Sequence, residues 1–187
     1  MKIRTLVLAI MVALAATFVA EAQQKKADKV LIAYYSYRGG NTKAVAEYIQ
    51  QATGGDLFRI ETDHPYPQDY NALTEQASEE LEKGVRPKLK RTVPNMADYS
   101  VIYIGSPNWW GTIAPVVMTF LEGHNFAGKT IIPFITHEGS RMGKSVNDIK
   151  KLAPKTKVLD GFAIRGRNAK NSSEDVKKEL KALGQIP

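Results

Sequence analysis

Three glycine-containing segments hold most of the residues in this chain that could bind or transform a ligand. The first is 36-SYRGGNT-42. Its two glycines allow backbone N–H groups to turn toward a ligand. A helix that begins at about Thr42 would direct unpaired N–H groups and its positive dipole end to the same place. Ser36 and Asn41 add side-chain hydrogen bonds. The segment indicates a phosphate-binding loop, and the alternative is a helix that is merely well capped.

The second segment, 105-GSPNWWGT-112, contains the only two tryptophans of the chain. An indole in a loop is costly to leave in water and useful when it stacks on a flat aromatic ligand. One of the two, Trp109 or Trp110, could instead fill the core beneath the loop. The pair predicts a site for a planar ring.

The third segment, 136-THEGSRMG-143, combines polar side chains with two glycines. His137 is the candidate catalytic residue, as an acid or a base, and Glu138 stands beside it. Two neighbouring loop residues make a poor metal site, and His64 and His124 have no companion at ligand spacing. We therefore expect no metal.

Apolar periodicity predicts five strands and five helices that alternate along the chain. The predicted strands are 29–35, 56–61, 98–105, 129–136 and 157–164, and the predicted helices are 42–53, 70–83, 115–122, 143–152 and 173–183. Pro133 weakens the fourth strand because proline cannot donate to a ladder. This alternation predicts an α/β domain with a parallel sheet covered on both faces. The three segments then follow the carboxyl ends of strands, where ligands bind in such sheets.

The composition is that of an ordinary globular protein, with 187 residues, 43% apolar and 24% charged. The absence of cysteine excludes disulfides, thiolate metal sites and cysteine nucleophiles. A formal net charge of +7 favours anionic neighbours. The cations are scattered apart from 86-RPKLKR-91, and no nucleic-acid-binding motif accompanies them, so we expect no nucleic acid partner.

The N-terminus has the pattern of a secretory signal peptide. Lys2 and Arg4 precede an apolar run, and Ala20-Glu21-Ala22 supplies the small residues of a cleavage site. The alternative is an uncleaved anchor, but the run of about 15 residues is shorter than the ~20 that a spanning helix needs. We predict a signal peptide over 1–22, a polar lead-in over 23–28, a domain over 29–187 and a periplasmic or secreted protein.

A phosphate loop beside a site for a planar ring fits flavin mononucleotide (FMN). NAD fits less well, because the chain lacks the G-x-G-x-x-G pattern. The sequence also resembles the flavodoxin family, in particular its short, exported or stand-alone members. The resemblance covers nearly all of the chain from Lys29 and rests on 30-VLIAYYSYRGGNTKAVAEYI-49, 102-IYIGSPNWWGTIAPVVMTFLE-122 and 132-IPFITHEGS-140.

The resemblance implies a flavodoxin-like three-layer sandwich with a five-stranded parallel sheet in the order 2-1-3-4-5, and non-covalent FMN. It implies cofactor-binding roles for Ser36, Tyr37, Gly40, Asn41 and Thr42 in the first segment, Pro107, Asn108, Trp109, Trp110 and Gly111 in the second, and Thr136, His137, Glu138, Gly139 and Ser140 in the third.

The first segment departs from the family pattern. Gly39 stands where a hydroxyl residue is usual, Arg38 precedes it, and the loop is one residue longer. Arg38 either binds the phosphate, which arginine can do in a bidentate way, or points into solvent. Flavodoxins are commonly acidic, so this basic chain does not imply their usual partners.

The sequence therefore predicts an FMN-binding electron-transfer protein that acts outside the cytoplasm. Its partner would be a redox protein or a quinone, at a membrane or in solution, because an exported protein lacks cytosolic NADPH. Two alternatives stay open: an FMN-dependent quinone reductase, and a flavodoxin-like binding module without redox chemistry.

Overall fold

A computed structural model describes residues 29–187. The predicted signal peptide over 1–22 and the lead-in over 23–28 lie outside the described residues. Within the described residues, no helix is both long and apolar enough to cross a membrane.

The described chain alternates strands and helices much as its apolar periodicity predicts. The strands are β1 (Lys29–Tyr34), β2 (Asp56–Arg59), β3 (Tyr99–Trp109), β4 (Thr112–Ile113), β5 (Thr130–His137), β6 (Lys157–Val158) and β7 (Phe162–Arg165). The α-helices are α1 (Asn41–Thr53), α2 (Tyr70–Glu82), α3 (Pro115–Glu122), α4 (Ser145–Leu152) and α5 (Ser173–Ala182). Short 3-10 helices cover Met96–Asp98 and Gly166–Asn171.

The sheet has the predicted flavodoxin-like order. β2, β1, β3 and β5 lie side by side, and β6 and β7 both pair with β5 at the same edge. All of these pairs are parallel, whereas the two-residue β4 pairs antiparallel with β3. With β6 and β7 counted as one interrupted edge strand, the order 2-1-3-4-5 is confirmed.

Apolar side chains alternate between the two faces of the sheet and build a core on each. Leu31 and Ala33 join the core under α2, α3 and α4, while Ile32 and Tyr34 join the core under α1 and α5. Such alternation on a strand buried on both sides explains why β1 reads as one continuous apolar run. The sandwich thus holds the carboxyl ends of β1, β3 and β5 at one edge.

The predicted fifth strand, 157–164, is wrong as a continuous element because a bulge divides it into β6 and β7. Ile131 pairs with Val158 and Phe134 pairs with Phe162, so the edge strand advances by one residue more than β5 does. Gly161 occupies the bulge with φ +67°. Pro133 lies opposite and has no N–H for a regular ladder, so the bulge falls where a hydrogen bond would be missing anyway.

The second predicted loop is also more regular than expected. β3 continues through Trp109 and turns back into β4, so that Trp109 pairs with Thr112. Trp110 and Gly111 form a two-residue turn with φ +51° and +84°. Positive φ at both central residues is the geometry of a type I′ hairpin, and a tryptophan is an uncommon occupant of its first position.

Candidate functional site

A cavity of about 600 Å³ opens at the carboxyl edge of the sheet. This volume lies within the range of small-molecule sites. The three segments 36–42, 105–112 and 136–143 all contribute to its wall, together with α2. From the predicted site it is lined by Tyr37, Arg38, Asn41, Thr42, Pro107, Asn108, Trp109, Trp110, Thr136, His137, Glu138, Gly139 and Ser140.

Four predicted site residues do not line the cavity: Ser36, Gly39, Gly40 and Gly111. Ser36 is buried, and its hydroxyl accepts a hydrogen bond from the Lys43 N–H at 3.1 Å. Gly39 and Gly40 form the left-handed turn into α1. The N–H of Gly111 donates to the Asn108 side chain at 3.0 Å. These residues shape the backbone that carries the wall.

The start of α1 offers donors to the cavity. Gly40 precedes the helix and provides no side-chain cap. Within residues 29–187, the backbone N–H groups of Asn41 and Thr42 have no hydrogen-bond partner. Both residues line the cavity. Unpaired N–H groups at the positive end of a helix are suited to an anion such as a phosphate.

A buried hydroxyl pair joins the first segment to the third. The Thr42 and Thr136 hydroxyl oxygens lie 2.8 Å apart and both side chains are buried. Thr136 sits near the end of β5 and Thr42 in the first turn of α1. The pair fixes the helix start relative to the sheet edge, because a buried hydroxyl is stable only when it is hydrogen-bonded.

The two neighbouring tryptophans have different environments. The Trp109 ring is half-buried and lies edge-on to Tyr35, Tyr37 and Tyr66 at centroid distances of 5.6, 6.4 and 5.0 Å. The Trp110 side chain is 61% exposed, and its indole N–H donates to the Thr74 carbonyl at 3.0 Å. One indole thus packs into an aromatic cluster and the other lies at the rim, tied to α2.

The second and third segments are bonded to each other. The Asn108 side-chain amide donates to the Arg141 carbonyl at 2.9 Å, and the Lys144 N–H donates to the Gly111 carbonyl at 2.7 Å. The hairpin that carries both tryptophans is therefore held by the loop before α4.

Helix α2 forms a fourth wall of the cavity, which the sequence did not predict. It contributes Tyr70, Leu73, Thr74 and Ala77 to the lining. The spacing of Tyr70, Leu73 and Ala77 marks one helix face, but periodicity does not say what that face contacts. The segment before α2 adds Tyr66, whose hydroxyl donates to the buried Glu80 carboxylate at 2.5 Å.

Tyr66 is a structural link between α2 and the tryptophan wall. Burial, followed by the hydrogen bond to Glu80, raises the pKa of its hydroxyl, which therefore stays a donor at neutral pH. The other Glu80 oxygen accepts from Gln76 at 2.8 Å. The carboxylate has two donors, and both lie within or beside α2.

We expect Tyr66→Phe to destabilise the protein by about 1.5–3 kcal/mol, because it leaves a buried carboxylate oxygen without its donor. The ring that packs on Trp109 is kept. Urea unfolding of the variant and of Tyr48→Phe measures the difference, since the Tyr48 hydroxyl bonds only to an exposed carbonyl of Lys170. Equal midpoints for the two variants would contradict the proposed importance of Glu80.

His137 is poised as a neutral imidazole in the cavity wall. Burial, and then the nearby Arg165, lower its pKa, Glu138 acts in the opposite direction and Arg141 lowers it further. Within the described chain its Nδ1 is buried without a hydrogen-bond partner. A neutral imidazole carries a proton on one ring nitrogen and can accept one on the other.

Glu138 follows His137 in the third segment, and its carboxylate lies next to Gly166 and Asn41. The described residues contain no group of three histidine, aspartate or glutamate side chains placed to hold a metal ion. An ideal Cβ at Gly166 would lie 2.2 Å from a Glu138 carboxylate oxygen and 2.7 Å from the Asn41 amide nitrogen. Glu138 is therefore packed against the segment that follows β7, beside the start of α1.

A doubly covered parallel sheet with a helix N-terminus and two indoles at one cavity defines a flavodoxin-like protein. A family model described as Flavodoxin matches residues 29–181, and the chain belongs to the flavodoxin family. Comparison with curated protein sequences found no match.

Solved structures give the same result. A protein from Bacteroides eggerthii DSM 20697 that carries the name flavoprotein is 33% identical, with a TM-score of 0.73 over 83% of this chain and 98% of its own. A protein of the same name from Bacteroides uniformis ATCC 8492 is 31% identical, with a TM-score of 0.74 over 83% and 99%. A flavoprotein from Lactobacillus acidophilus NCFM, solved in complex with FMN, is 23% identical, with a TM-score of 0.60 over 80% and 99%.

Proposed function

We propose that this chain binds FMN non-covalently and transfers electrons through it outside the cytoplasm. One observation supports the proposal above all: the unpaired N–H groups at the start of α1 and the two indoles of the β3–β4 hairpin line the same cavity. A ligand with a phosphate and a planar ring satisfies both. The FMN in the Lactobacillus acidophilus flavoprotein and the family membership support this choice.

The protein's contribution is to bind and orient the flavin. The N–H groups of Asn41 and Thr42 would hold the phosphate, with Gly39 and Gly40 bringing the backbone close to it. Trp109 and Trp110 would cover the ring from the hairpin, and the segment from Thr136 to Ser140 would close the opposite side. When bound, the flavin supplies one- or two-electron chemistry.

Water exclusion and charge complete the site's role. The half-buried Trp109 and the apolar Leu73 and Ala77 of α2 make part of the cavity wall apolar. An apolar wall disfavours additional negative charge on the ring, because an unpaired buried charge is costly. Transfer outside the cytoplasm rests on the signal-peptide pattern of residues 1–22.

A quinone reductase is the second candidate, and His137 favours it. Reduction of a quinone to a quinol consumes two protons as well as two electrons, and the His137 imidazole in the cavity wall would relay protons to the bound quinone, a step that a simple electron carrier does not need. The two are separated by steady-state assays with a soluble quinone. Saturable turnover indicates a reductase, whereas a rate that rises linearly with quinone concentration indicates a carrier.

Titration of the purified chain with FMN tests the proposal directly. We expect quenched flavin fluorescence, a perturbed visible spectrum and a yellow protein after gel filtration. Unchanged fluorescence at micromolar protein and FMN would contradict flavin binding and leave the alternative of a non-redox module.

Trp110→Ala tests where the ring lies. We expect the FMN dissociation constant to rise about 5- to 150-fold, which corresponds to the roughly 1–3 kcal/mol of one aromatic stacking contact. Val85→Ala is the control. Val85 is an exposed apolar residue, and it lines neither this cavity nor the second, smaller cavity on the other side of Trp110, between α2 and α4. If Trp110→Ala and Val85→Ala bind FMN equally well, the ring does not contact Trp110.

A further inference from the structure

Four exposed cations lie on or next to the segments that form the cavity: Arg38, Arg141, Lys144 and Arg165. Arg38 lines the cavity itself. The backbone of Arg141 and of Lys144 is hydrogen-bonded to the tryptophan hairpin, and Lys144 lines a second cavity that shares Trp110 with the first. Arg165 pairs in register with His137 at the end of β7. We call these four residues the basic rim.

No cation of the basic rim takes part in an ion pair among the described residues. Seven ion pairs occur among the described residues, such as Arg86 with Glu122 and Lys88 with Asp63, and none of them includes a rim cation. Glu138 is the one carboxylate that lines the cavity within residues 29–187. The positive charge at this edge is therefore available to an external partner.

Exposed aromatic side chains are concentrated at the same place. The described residues have three exposed large apolar side chains, Tyr70 at 64%, Trp110 at 61% and Val85 at 43%. The first two line the cavity mouth. The Arg38 guanidinium lies 6.0 Å from the centre of the Tyr70 ring. Tryptophan, tyrosine and arginine are the residue types that dominate binding energy at protein interfaces.

We propose that the basic rim, with Tyr70 and Trp110, is the docking surface for an acidic redox protein. This inference rests on the proposed flavin function and adds the chemistry of the partner. A protein that docks there places its own redox centre next to the cavity mouth. Three of the four rim cations are arginines, whose planar guanidinium groups pair with carboxylates in a bidentate way.

An anionic bilayer fits the same charge less well. Interfacial membrane binding combines cations with a continuous apolar face that enters the headgroup region. The rim offers two exposed aromatic side chains, Tyr70 on α2 and Trp110 hydrogen-bonded to α2. The one other exposed large apolar side chain among residues 29–187 is Val85, which does not line the cavity, so the rim presents no continuous apolar face. Exposed cations without an apolar face attract a soluble acidic surface by long-range steering.

The test uses three probes on the purified chain, both without flavin and loaded with FMN. They are a plant-type two-iron ferredoxin with an acidic surface, a basic c-type cytochrome, and vesicles of about 70% phosphatidylcholine and 30% phosphatidylglycerol. Binding is measured at about 20 and about 300 mM NaCl, between which the Debye length falls from roughly 20 to roughly 5 Å.

The variants separate the rim from the overall charge. Arg141→Gln/Arg165→Gln removes two rim cations that lie outside the proposed cofactor contacts. Lys155→Gln/Lys157→Gln removes the same charge at the opposite end of the sheet, where Lys157 pairs with the first residue of β5. All four side chains are exposed, so both variants should fold normally.

We expect the ferredoxin to bind more tightly than the cytochrome, with affinity falling at least about tenfold at high salt. The rim variant should lose at least about threefold in affinity at low salt, because exposed charge contacts are individually modest. The control variant should stay within about twofold. Equal losses in both variants, or binding to the vesicles but not to the ferredoxin, would overturn the inference. The visible spectrum measures flavin loading separately. If the ferredoxin binds through the rim but the protein takes up no flavin, the proposal of FMN binding is wrong and the proposal of the docking surface stands.

Discussion

Trp109→Ala is expected to destabilise the apoprotein by roughly 2–4 kcal/mol, toward the lower part of the range for loss of a large aromatic side chain because the indole is half-buried. The cause is the aromatic cluster that the ring completes, in which Tyr35, Tyr37 and Tyr66 each meet it edge-on. Urea unfolding without FMN measures the loss. The same variant should also weaken FMN binding, since Trp109 lines the cavity.

Trp110→Ala is the matched control, because it removes the same side chain one residue further along the hairpin. The Trp110 indole is 61% exposed and has one hydrogen bond, to Thr74. Its loss should cost the apoprotein no more than about 1 kcal/mol. If the two variants unfold at the same urea concentration, the aromatic cluster contributes nothing specific and the different roles of the two indoles are wrong.

The sequence predicted the location of the candidate site because its chemistry is concentrated at strand ends. A parallel sheet brings the carboxyl ends of its strands to one edge, so the three segments, which lie at the ends of β1, β3 and β5, converge there. Thirteen of the seventeen predicted site residues line one cavity. The others, such as Ser36 and Gly40, support the backbone behind it.

Features that depend on long-range contacts were not predictable in the same way. The role of α2 as a cavity wall follows from how the helix packs, and its periodicity shows only that one face is apolar. The buried Glu80 looks like any helix carboxylate until Tyr66 and Gln76 are seen to satisfy it. The Trp110-Gly111 turn lacks the asparagine–glycine pair that usually marks a type I′ hairpin.

The bulge in the edge strand requires glycine at position 161, because the backbone there has a left-handed conformation and lies against Pro133. Gly161→Ala is therefore expected to lower the free energy of unfolding by about 3–5 kcal/mol. An alanine Cβ at this position would lie 2.0 Å from the Pro133 carbonyl oxygen. Backbone on both sides would have to move, and the left-handed φ of +67° adds about 1–2 kcal/mol for a residue with a side chain. Urea unfolding measures the total.

Gly128→Ala isolates the collision from the backbone conformation. Gly128 has φ +75°, and an added Cβ would meet nothing within 4 Å, so this variant should lose only about 1–2 kcal/mol. A difference of less than about 0.5 kcal/mol between the two variants would show that the bulge at Gly161 does not lie against Pro133. The bulge also positions β7, which ends at Arg165 and leads to Gly166 beside Glu138 and Asn41. Gly161→Ala should therefore weaken FMN binding as well, whereas Gly128→Ala should leave it unchanged.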